Sequence, residues 1–359
     1  MGPFNAFWLA TTLQLASPLI FAGSGELIAE RAGVLNIGLE GMMLVGAFAA
    51  YWATVVTGNP WLGVVAGLLA GLLLAALMAL LSVQLRADQI VVGVGLNILA
   101  LGVTNFAFRQ FLGGTQTLIH RLDPVSLPVL SSIPVVGDAV FRQSPLVYLA
   151  FLAALGAWFT LYRARLGLAL RAAGELPAAA DTAGASVPAL RWTGTLVAGA
   201  LAGIGGSFLS ISLGIFVQGM TSGRGFLAIA AVIFGRWRPL GTVFACLLFG
   251  GVDGLQLSLQ GRPLLPREVW LVLLLPLLAI AIQPSTRRAL RRVSLRLAAF
   301  VLVALGGVIL FLFPPPVSLP SQLWSTAPYV LSLLVLAGAI GRHGMPSALS
   351  IPYRRDRVE

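Results

Sequence analysis

Polar side chains lie inside several apolar runs of this chain, where a bilayer would tolerate few of them. Among them are Asn36, Glu40, Gln89, Asn97, Asn105 and Gln256. A carboxylate at the centre of a membrane span costs roughly 2.5–3.5 kcal/mol, so Glu40 must face a polar cavity, pair with a neighbour or lie near an interface. The amides both donate and accept hydrogen bonds. Hydrogen bonding between helices explains each of four amides alone, but together they suit a neutral solute with hydroxyl or amide groups better than an ion; these are Gln89, Asn97, Asn105 and Gln256.

Two roles stay open for Glu40. Its carboxylate either contacts the solute or caps the N-terminus of a neighbouring half-helix, where the helix dipole favours negative charge. Glu26, Glu30 and Arg31 lie close together in the sequence, which predicts a self-paired cluster at the membrane interface with a structural role.

The composition is that of a membrane protein. The 359 residues are 58% hydrophobic and 10% charged, whereas soluble domains are about 25% charged. Continuous apolar runs near the length that a bilayer requires recur along the chain, and their continuity argues against a transmembrane β-barrel. We therefore predict an all-α integral membrane protein, one domain over 1–359 with about 10–11 transmembrane helices.

Several kinds of chemistry are excluded by the residues that the sequence lacks. All 23 basic residues are arginine, so neither a P-loop lysine nor a Schiff-base lysine is present. The single Cys246 permits no internal disulfide, and His120 and His343 fall outside the apolar runs. We expect no catalytic residue, no metal site and no cofactor.

The net charge of +11 is concentrated beside apolar runs, where arginine sets topology and meets anionic lipid, so nucleic acid is not an expected partner.

The arginine clusters predict the orientation of the spans. Positive charge is retained on the cytoplasmic side of a membrane. This places 163–191, the five arginines between 287 and 296, and the tail 342–357 in the cytoplasm. Alternation of the spans then places 113–144 outside, as an external loop with room for one surface helix.

Two segments predict discontinuous helices. Three glycines interrupt the apolar run at 33–41, GVLNIGLEG, and the apolar segment 225–235 is too short for an ordinary span. Short or glycine-interrupted segments at corresponding places in two halves are typical of transporters with an internal repeat and a central solute site. We expect a crossing or re-entrant half-helix at 225–235, opposite Asn36 and Glu40. Gly67 and Gly203 are expected only to let helices pack closely.

A short helix is predicted in the cytoplasmic loop 163–190. Pro177 suits the first helical position, and Gly184 suits the left-handed position that comes after the last turn. The helix between them would be about 10 Å long at 1.5 Å per residue. Its alanines form no bulky face, so it is either a simple connection between spans or a projection that fits a groove on a soluble partner.

Four segments resemble the permease subunits of bacterial ABC importers for nucleosides and simple sugars, a group related to the ribose and branched-chain amino acid permeases. These segments are 25–43, 85–97, 166–184 and 219–241, in family order. The resemblance implies that 174–184 is the coupling helix, which docks on a separate ATPase. Its contact residues would be Gly174, Glu175, Pro177, Ala179, Asp181 and Gly184. Leu176 departs from the asparagine that is usual in the family.

The resemblance also implies a function and a set of partners. A permease of this type moves a neutral solute across the bacterial inner membrane, here a nucleoside first and a simple sugar second. The solute path would pass Asn36, Glu40, Gln89 and Asn97. The partners would be the ABC ATPase, a second permease subunit in a heterodimer, an extracytoplasmic solute-binding protein or lipoprotein, and the lipid bilayer.

One stretch departs from the family pattern. The family passes from the region of residue 260 directly to a final hairpin that resembles 319–323, whereas this chain interposes 265–318. We expect an extra helical hairpin there.

Two other classes of function compete with this interpretation. The main alternative is a stand-alone secondary transporter of a small polar solute, which the sequence disfavours because ionisable coupling residues do not line several spans. An intramembrane enzyme is disfavoured more strongly, since the sequence offers no pairing of a nucleophile with a base and no metal-ligand cluster.

Overall fold

The computed structural model describes residues 5–113, 117–126, 136–259 and 344–353, together with Thr326 and Val330. The extra hairpin predicted at 265–318, the five arginines within it and the apolar runs beyond residue 260 lie outside the described residues.

Helices dominate the described part of the chain. They are α1 (Ala6–Arg31), α2 (Leu39–Thr57), α3 (Pro60–Ala79), α4 (Gln89–Leu112), α5 (Val136–Phe141), α6 (Pro145–Tyr162), α7 (Arg165–Glu175), α8 (Pro177–Thr182), α9 (Val187–Leu213), α10 (Arg224–Phe234) and α11 (Pro239–Leu259). A π-helical turn, Leu80–Gln84, continues α3. Two short strands, β1 (Val125–Ser126) and β2 (Arg142–Gln143), pair antiparallel within the predicted external loop 113–144, which also contains α5.

Seven helices of the described residues are long and apolar enough to cross a membrane. These are α1, α2, α3 with its π-helical turn, α4, α6, α9 and α11. They confirm the predicted all-α membrane architecture, whereas the predicted total of 10–11 spans includes apolar runs that lie outside the described residues. At 11 residues, α10 is about 16 Å long and too short to span, as its sequence predicts.

The ends of these helices obey local sequence signals. Asn5 and Asp88 accept hydrogen bonds from main-chain N–H groups in the first turns of α1 and α4, which is the usual role of an N-cap. Gly58, Gly113 and Gly214 end α2, α4 and α9 in the left-handed conformation that glycine adopts without strain. Pro60 begins α3, where its missing N–H leaves no hydrogen bond unmade.

Close contacts between glycines bring α9 against α2 and α3. A Cβ on Gly46 of α2 would lie 2.6 Å from Cα of Gly203 on α9, which is closer than side chains tolerate. Gly67 and Gly71 of α3 approach the same stretch of α9 just as closely. Small residues allow helix backbones to approach in this way within a membrane. The packing role predicted for Gly67 and Gly203 is confirmed.

Candidate functional site

The break between α1 and α2, residues 32–38, is held by side chains that reach its main chain. The carboxylate of Glu26 accepts a hydrogen bond from the Asn36 N–H at 2.9 Å. The amide oxygen of Gln89 accepts one from the Leu35 N–H at 2.8 Å. Irregular backbone at membrane depth persists only where protein or water satisfies its polar groups. Here the buried side chains of Glu26 and Gln89 accept hydrogen bonds from two of these main-chain N–H groups.

Asn97 of α4 bonds to the main chain on both sides of Leu39. Its Oδ1 accepts a hydrogen bond from the Gly41 N–H at 2.7 Å, and its Nδ2 donates to the Ile37 carbonyl oxygen at 3.0 Å. The close approach depends on glycine, because a Cβ on Gly41 would lie 2.9 Å from Asn97 Oδ1. Asn97 therefore joins α4 to the end of the break and to the start of α2.

Glu40 caps the half-helix α10. One carboxylate oxygen accepts a hydrogen bond from the Gly223 N–H at 2.8 Å, and the other accepts one from the Gly225 N–H at 2.6 Å. These N–H groups belong to the N-terminal end of α10, where orphan donors and the helix dipole favour an anion. A Cβ on Gly225 would lie 2.5 Å from Cα of Glu40. Of the two roles that the sequence left open for Glu40, the cap is present in the structure.

Asn36 differs from the other three residues in how its side chain is used. It is fully buried, its Nδ2 contacts the thioether sulfur of Met42 at 3.2 Å, and its Oδ1 has no hydrogen-bond partner among the described residues. The Nε2 of Gln89 is also buried without a partner there. The structure therefore brings Asn36, Glu40, Gln89 and Asn97 together around one break. Contact with a solute remains a prediction for each of them.

The predicted self-paired cluster of Glu26, Glu30 and Arg31 is wrong in the partner of Arg31. Both glutamates are completely buried within the protein, and their place at the membrane interface stays a prediction. The indole N–H of Trp237 donates to Glu30, and Arg31 forms an ion pair with Glu175 at 3.5 Å. These partners come from distant parts of the sequence, so neighbouring residues alone could not indicate them.

The predicted short helix is present as α8, and a sharp elbow at Leu176 separates it from α7. Pro177 begins α8, and Gly184 lies just beyond it with φ of +86°, as the sequence predicts. Gly174 is buried where a Cβ would collide with the carbonyl oxygen of Arg31. Ala179 is exposed, whereas Ala180 is buried. The elbow therefore packs on the end of α1 while α8 leaves one face uncovered.

A cavity of about 460 Å³ lies beside α8. Asp181 and Gly184 line it from α8 and the turn after it, whereas Arg86 lines it from just beyond the π-helical turn Leu80–Gln84 and Arg191 lines it from α9. Leu176 at the elbow is 67% exposed. The contact set predicted from the sequence omitted Leu176, although an exposed leucine between two helices is the kind of side chain that a partner can cover.

The segment 344–353 packs over the same elbow. Its Ala348 N–H donates to the Gly174 carbonyl oxygen at 2.9 Å, and its Ser350 N–H donates to the Gly33 carbonyl oxygen at 3.2 Å. The buried Arg191 donates to the Ile351 carbonyl oxygen at 2.7 Å. No sequence motif predicted this segment as part of the site, because most of its bonds are made through its main chain; Ser347 adds bonds from its hydroxyl to Glu175.

Comparison with known proteins decides the family. A family model described as the permease component of the branched-chain amino acid transport system matches residues 8–282. The chain belongs to this permease family. No solved structure matches it.

Relatives of this permease are named for different solutes. A putative glucose ABC transporter permease protein of Haloferax volcanii is 38% identical over 98% of this chain and 99% of its own. A guanosine ABC transporter permease protein of Bacillus subtilis is 33% identical over 95% of this chain and 94% of its own. A second guanosine ABC transporter permease protein of Bacillus subtilis is 30% identical over 73% of this chain and 77% of its own.

Proposed function

We propose that this permease is a membrane subunit of an ABC importer that moves a neutral solute, a nucleoside first and a simple sugar second, across the bacterial inner membrane. ATP would be hydrolysed by a separate subunit. The observation that carries the proposal is the exposed helix α8 on a multi-span chain of a permease-component family. A helix with an uncovered face, fixed by its elbow to the end of a membrane span, is suited to receive force from a soluble partner.

The ATPase would dock on α8 and the exposed Leu176. Glu175, Pro177, Ala179, Asp181 and Gly184 lie on or beside this surface, in agreement with the resemblance. Gly174 would contribute indirectly, because it is buried against α1 and sets the angle of the elbow.

The solute would pass the break 32–38 and the first turn of α10. The amides of Asn36, Gln89 and Asn97 supply both donors and acceptors there, and this chemistry matches hydroxyl groups and nucleobase edges. Guanosine and glucose are both uncharged and rich in hydroxyl groups. Asn36 is the strongest candidate for contact, because its buried Oδ1 lacks a partner among the described residues. Gln89 offers a second buried group of this kind, its Nε2.

The second permease subunit would be a different but related chain. Two related guanosine permease proteins of Bacillus subtilis support this arrangement. An extracytoplasmic binding protein or lipoprotein would deliver the solute, so the permease itself would need only weak affinity. A conduit must release what it binds.

Co-purification and uptake test the proposal together. The tagged permease should bring down an ATPase and a second permease chain, and the complex in proteoliposomes, supplied with the binding protein, should take up labelled guanosine only with ATP on the cytoplasmic side. Competition with glucose and with unlabelled nucleosides then ranks the solutes. Uptake that needs an ion gradient and no ATPase would establish the stand-alone secondary transporter instead.

A further inference from the structure

Arg31, the last residue of α1, bonds to two elements that are far apart in the sequence. Its Nε and one terminal nitrogen donate to the Trp237 carbonyl oxygen at 3.0 and 2.6 Å. The other terminal nitrogen lies 3.5 Å from a carboxylate oxygen of Glu175, at the elbow between α7 and α8. The Arg31 side chain is only 13% exposed, so these bonds are shielded from water more than surface pairs are.

The turn that receives Arg31 is strained and doubly held. Arg236 and Trp237 come after α10 with φ of +54° each, in the left-handed region that residues other than glycine seldom adopt. Strained residues persist where their surroundings over-determine them. Here Glu30 accepts a hydrogen bond from the Trp237 indole, while Arg31 binds the Trp237 main chain. Glu30 and Arg31, which are consecutive in α1, therefore bond to the side chain and to the main chain of Trp237, respectively.

The N-terminal end of α10 is held by α2, which begins directly after the break at residues 32–38. Glu40, at the start of α2, caps α10 through Gly223 and Gly225. The half-helix is thus fixed at its N-terminus by Glu40 and at its C-terminal turn by Glu30 and Arg31. A displacement of the α1 end would therefore act on α10 through the bonds of Glu30 and Arg31 to Trp237.

The elbow is in direct contact with the α1 end. Gly174 leaves no room for a Cβ against the Arg31 carbonyl, and Glu175 pairs with the Arg31 side chain. A movement of the elbow would therefore act on Arg31 directly.

We propose that Arg31 is a positioning residue that transmits the position of the α7–α8 elbow to the re-entrant half-helix α10. This inference rests on the proposed function, because it gives ATP-driven movement of α8 a route to the predicted solute path. Arg31 touches neither solute nor nucleotide in this assignment.

The test measures uptake and ATP hydrolysis in the same proteoliposomes that contain the complete transporter. We expect Arg31→Met to lower the guanosine moved per ATP hydrolysed by about fivefold or more, which is a common size for coupling between sites. Hydrolysis itself should persist, and the ATPase should still co-purify. Arg31→Lys should restore part of the ratio, because it keeps the charge and at least one donor. The matched control Arg165→Met removes an exposed arginine from α7 and should leave the ratio unchanged.

A second variant covers the case in which Arg31→Met fails to assemble. Glu175→Gln breaks the ion pair at a half-exposed position but keeps an oxygen that can accept from Ser347, and it should lower the same ratio, although less, while the ATPase still co-purifies. In the double variant, the Glu175 change should add little to the Arg31 change, since both act on one link. Proportional loss of uptake and hydrolysis in these variants, or full additivity, would overturn the inference. A wild-type complex without ATP-driven uptake would instead refute the proposed function.

Discussion

The carboxylate of Glu40 lies over the N-terminal end of α10 and accepts hydrogen bonds from the Gly223 and Gly225 N–H groups at 2.8 and 2.6 Å. Glu40 lies at the edge of one discontinuity in the membrane domain, and Gly225 lies at the start of the other. The two interrupted segments, which the sequence predicted to lie opposite each other, are therefore bonded to each other. A buried carboxylate and a helix end with unbonded N–H groups would each be unfavourable alone in a membrane, and this contact pairs them.

The first prediction concerns this cap. Glu40→Gln keeps the shape of the side chain but loses the charge, and one of its terminal atoms becomes a donor that faces an N–H. We expect the free energy of unfolding to fall by about 1–2 kcal/mol, which is typical for loss of a good N-cap or a charged hydrogen bond. Thermal unfolding of the detergent-solubilised complex measures this. Unchanged stability together with full uptake would leave Glu40 without either predicted role.

Gly225→Ala provides an independent check of the same contact. Its new Cβ would lie 2.5 Å from Cα of Glu40, so the first turn of α10 must move away from α2. Expression or melting temperature should fall as for Glu40→Gln. Gly95→Ala is the matched control, because no described atom lies within 4 Å of a Cβ at that position. Equal behaviour of the two alanine variants would contradict the close packing of α10 on α2.

The second prediction concerns docking on α8. Ala179→Trp places a large ring on the exposed face of the helix, and it should reduce co-purification of the ATPase and ATP-driven uptake while the permease still inserts. Ala179→Ser is the control, since it changes the surface little. Normal uptake with tryptophan at this position would exclude the face of α8 as the docking surface.

The third prediction concerns topology, measured by cysteine labelling in a Cys246→Ala background. Ala179 lies on α8, which precedes the N-terminal end of α9, whereas Leu118 adjoins Ile119, whose N–H bonds to Gly214 at the far end of α9. Because α9 has 27 residues, its ends are about 40 Å apart. Ala179→Cys should be labelled from the cytoplasm and Leu118→Cys from outside. The opposite pattern would invert the topology and remove the ATPase contact.

The fourth prediction concerns the segment 344–353. Arg191 donates to the Ile351 carbonyl oxygen at 2.7 Å and to the Ala348 carbonyl oxygen at 3.4 Å. Arg191→Met removes these donors, so the N–H groups of Ala348 and Ser350 should exchange hydrogen faster. A tenfold faster exchange corresponds to about 1.4 kcal/mol, close to the range expected for a hydrogen bond to a charged group. Arg165→Met should leave this exchange unchanged, and slow exchange in both variants would show that Arg191 does not hold the segment.

Local signals made α8 and the two discontinuities predictable. Pro177 and Gly184 mark helix ends by their own backbone preferences, and glycines or short length mark 33–41 and 225–235. The partners were not predictable in the same way. Trp237 lies 207 positions from Glu30 in the sequence, and nothing in the spacing of the residues around Glu30 indicates that distant tryptophan. Side-chain bonds to main-chain atoms, such as those of Asn97, leave no partner residue type to recognise in a sequence.

The final prediction separates a scaffold amide from a solute-contacting amide. Asn97 uses one acceptor and one donor on the main chain of Gly41 and Ile37, so Asn97→Leu leaves both main-chain groups without this partner. A buried polar group without a partner costs about 1–3 kcal/mol. We expect this variant to lose thermal stability, and any loss of uptake should parallel the loss of assembled complex.

Asn36 should behave in the opposite way. Its Oδ1 is buried without a partner among the described residues, and its Nδ2 contacts the thioether sulfur of Met42, a weak acceptor. Replacing such a group with an apolar side chain of similar shape can be nearly neutral for folding. If Asn36 contacts the solute in transit, Asn36→Leu should therefore assemble with near wild-type stability and still lower the uptake rate, while the binding protein captures solute normally. Uptake at the wild-type rate would remove Asn36 from the solute path. A loss of stability equal to that of Asn97→Leu would instead show that both amides serve the break between α1 and α2.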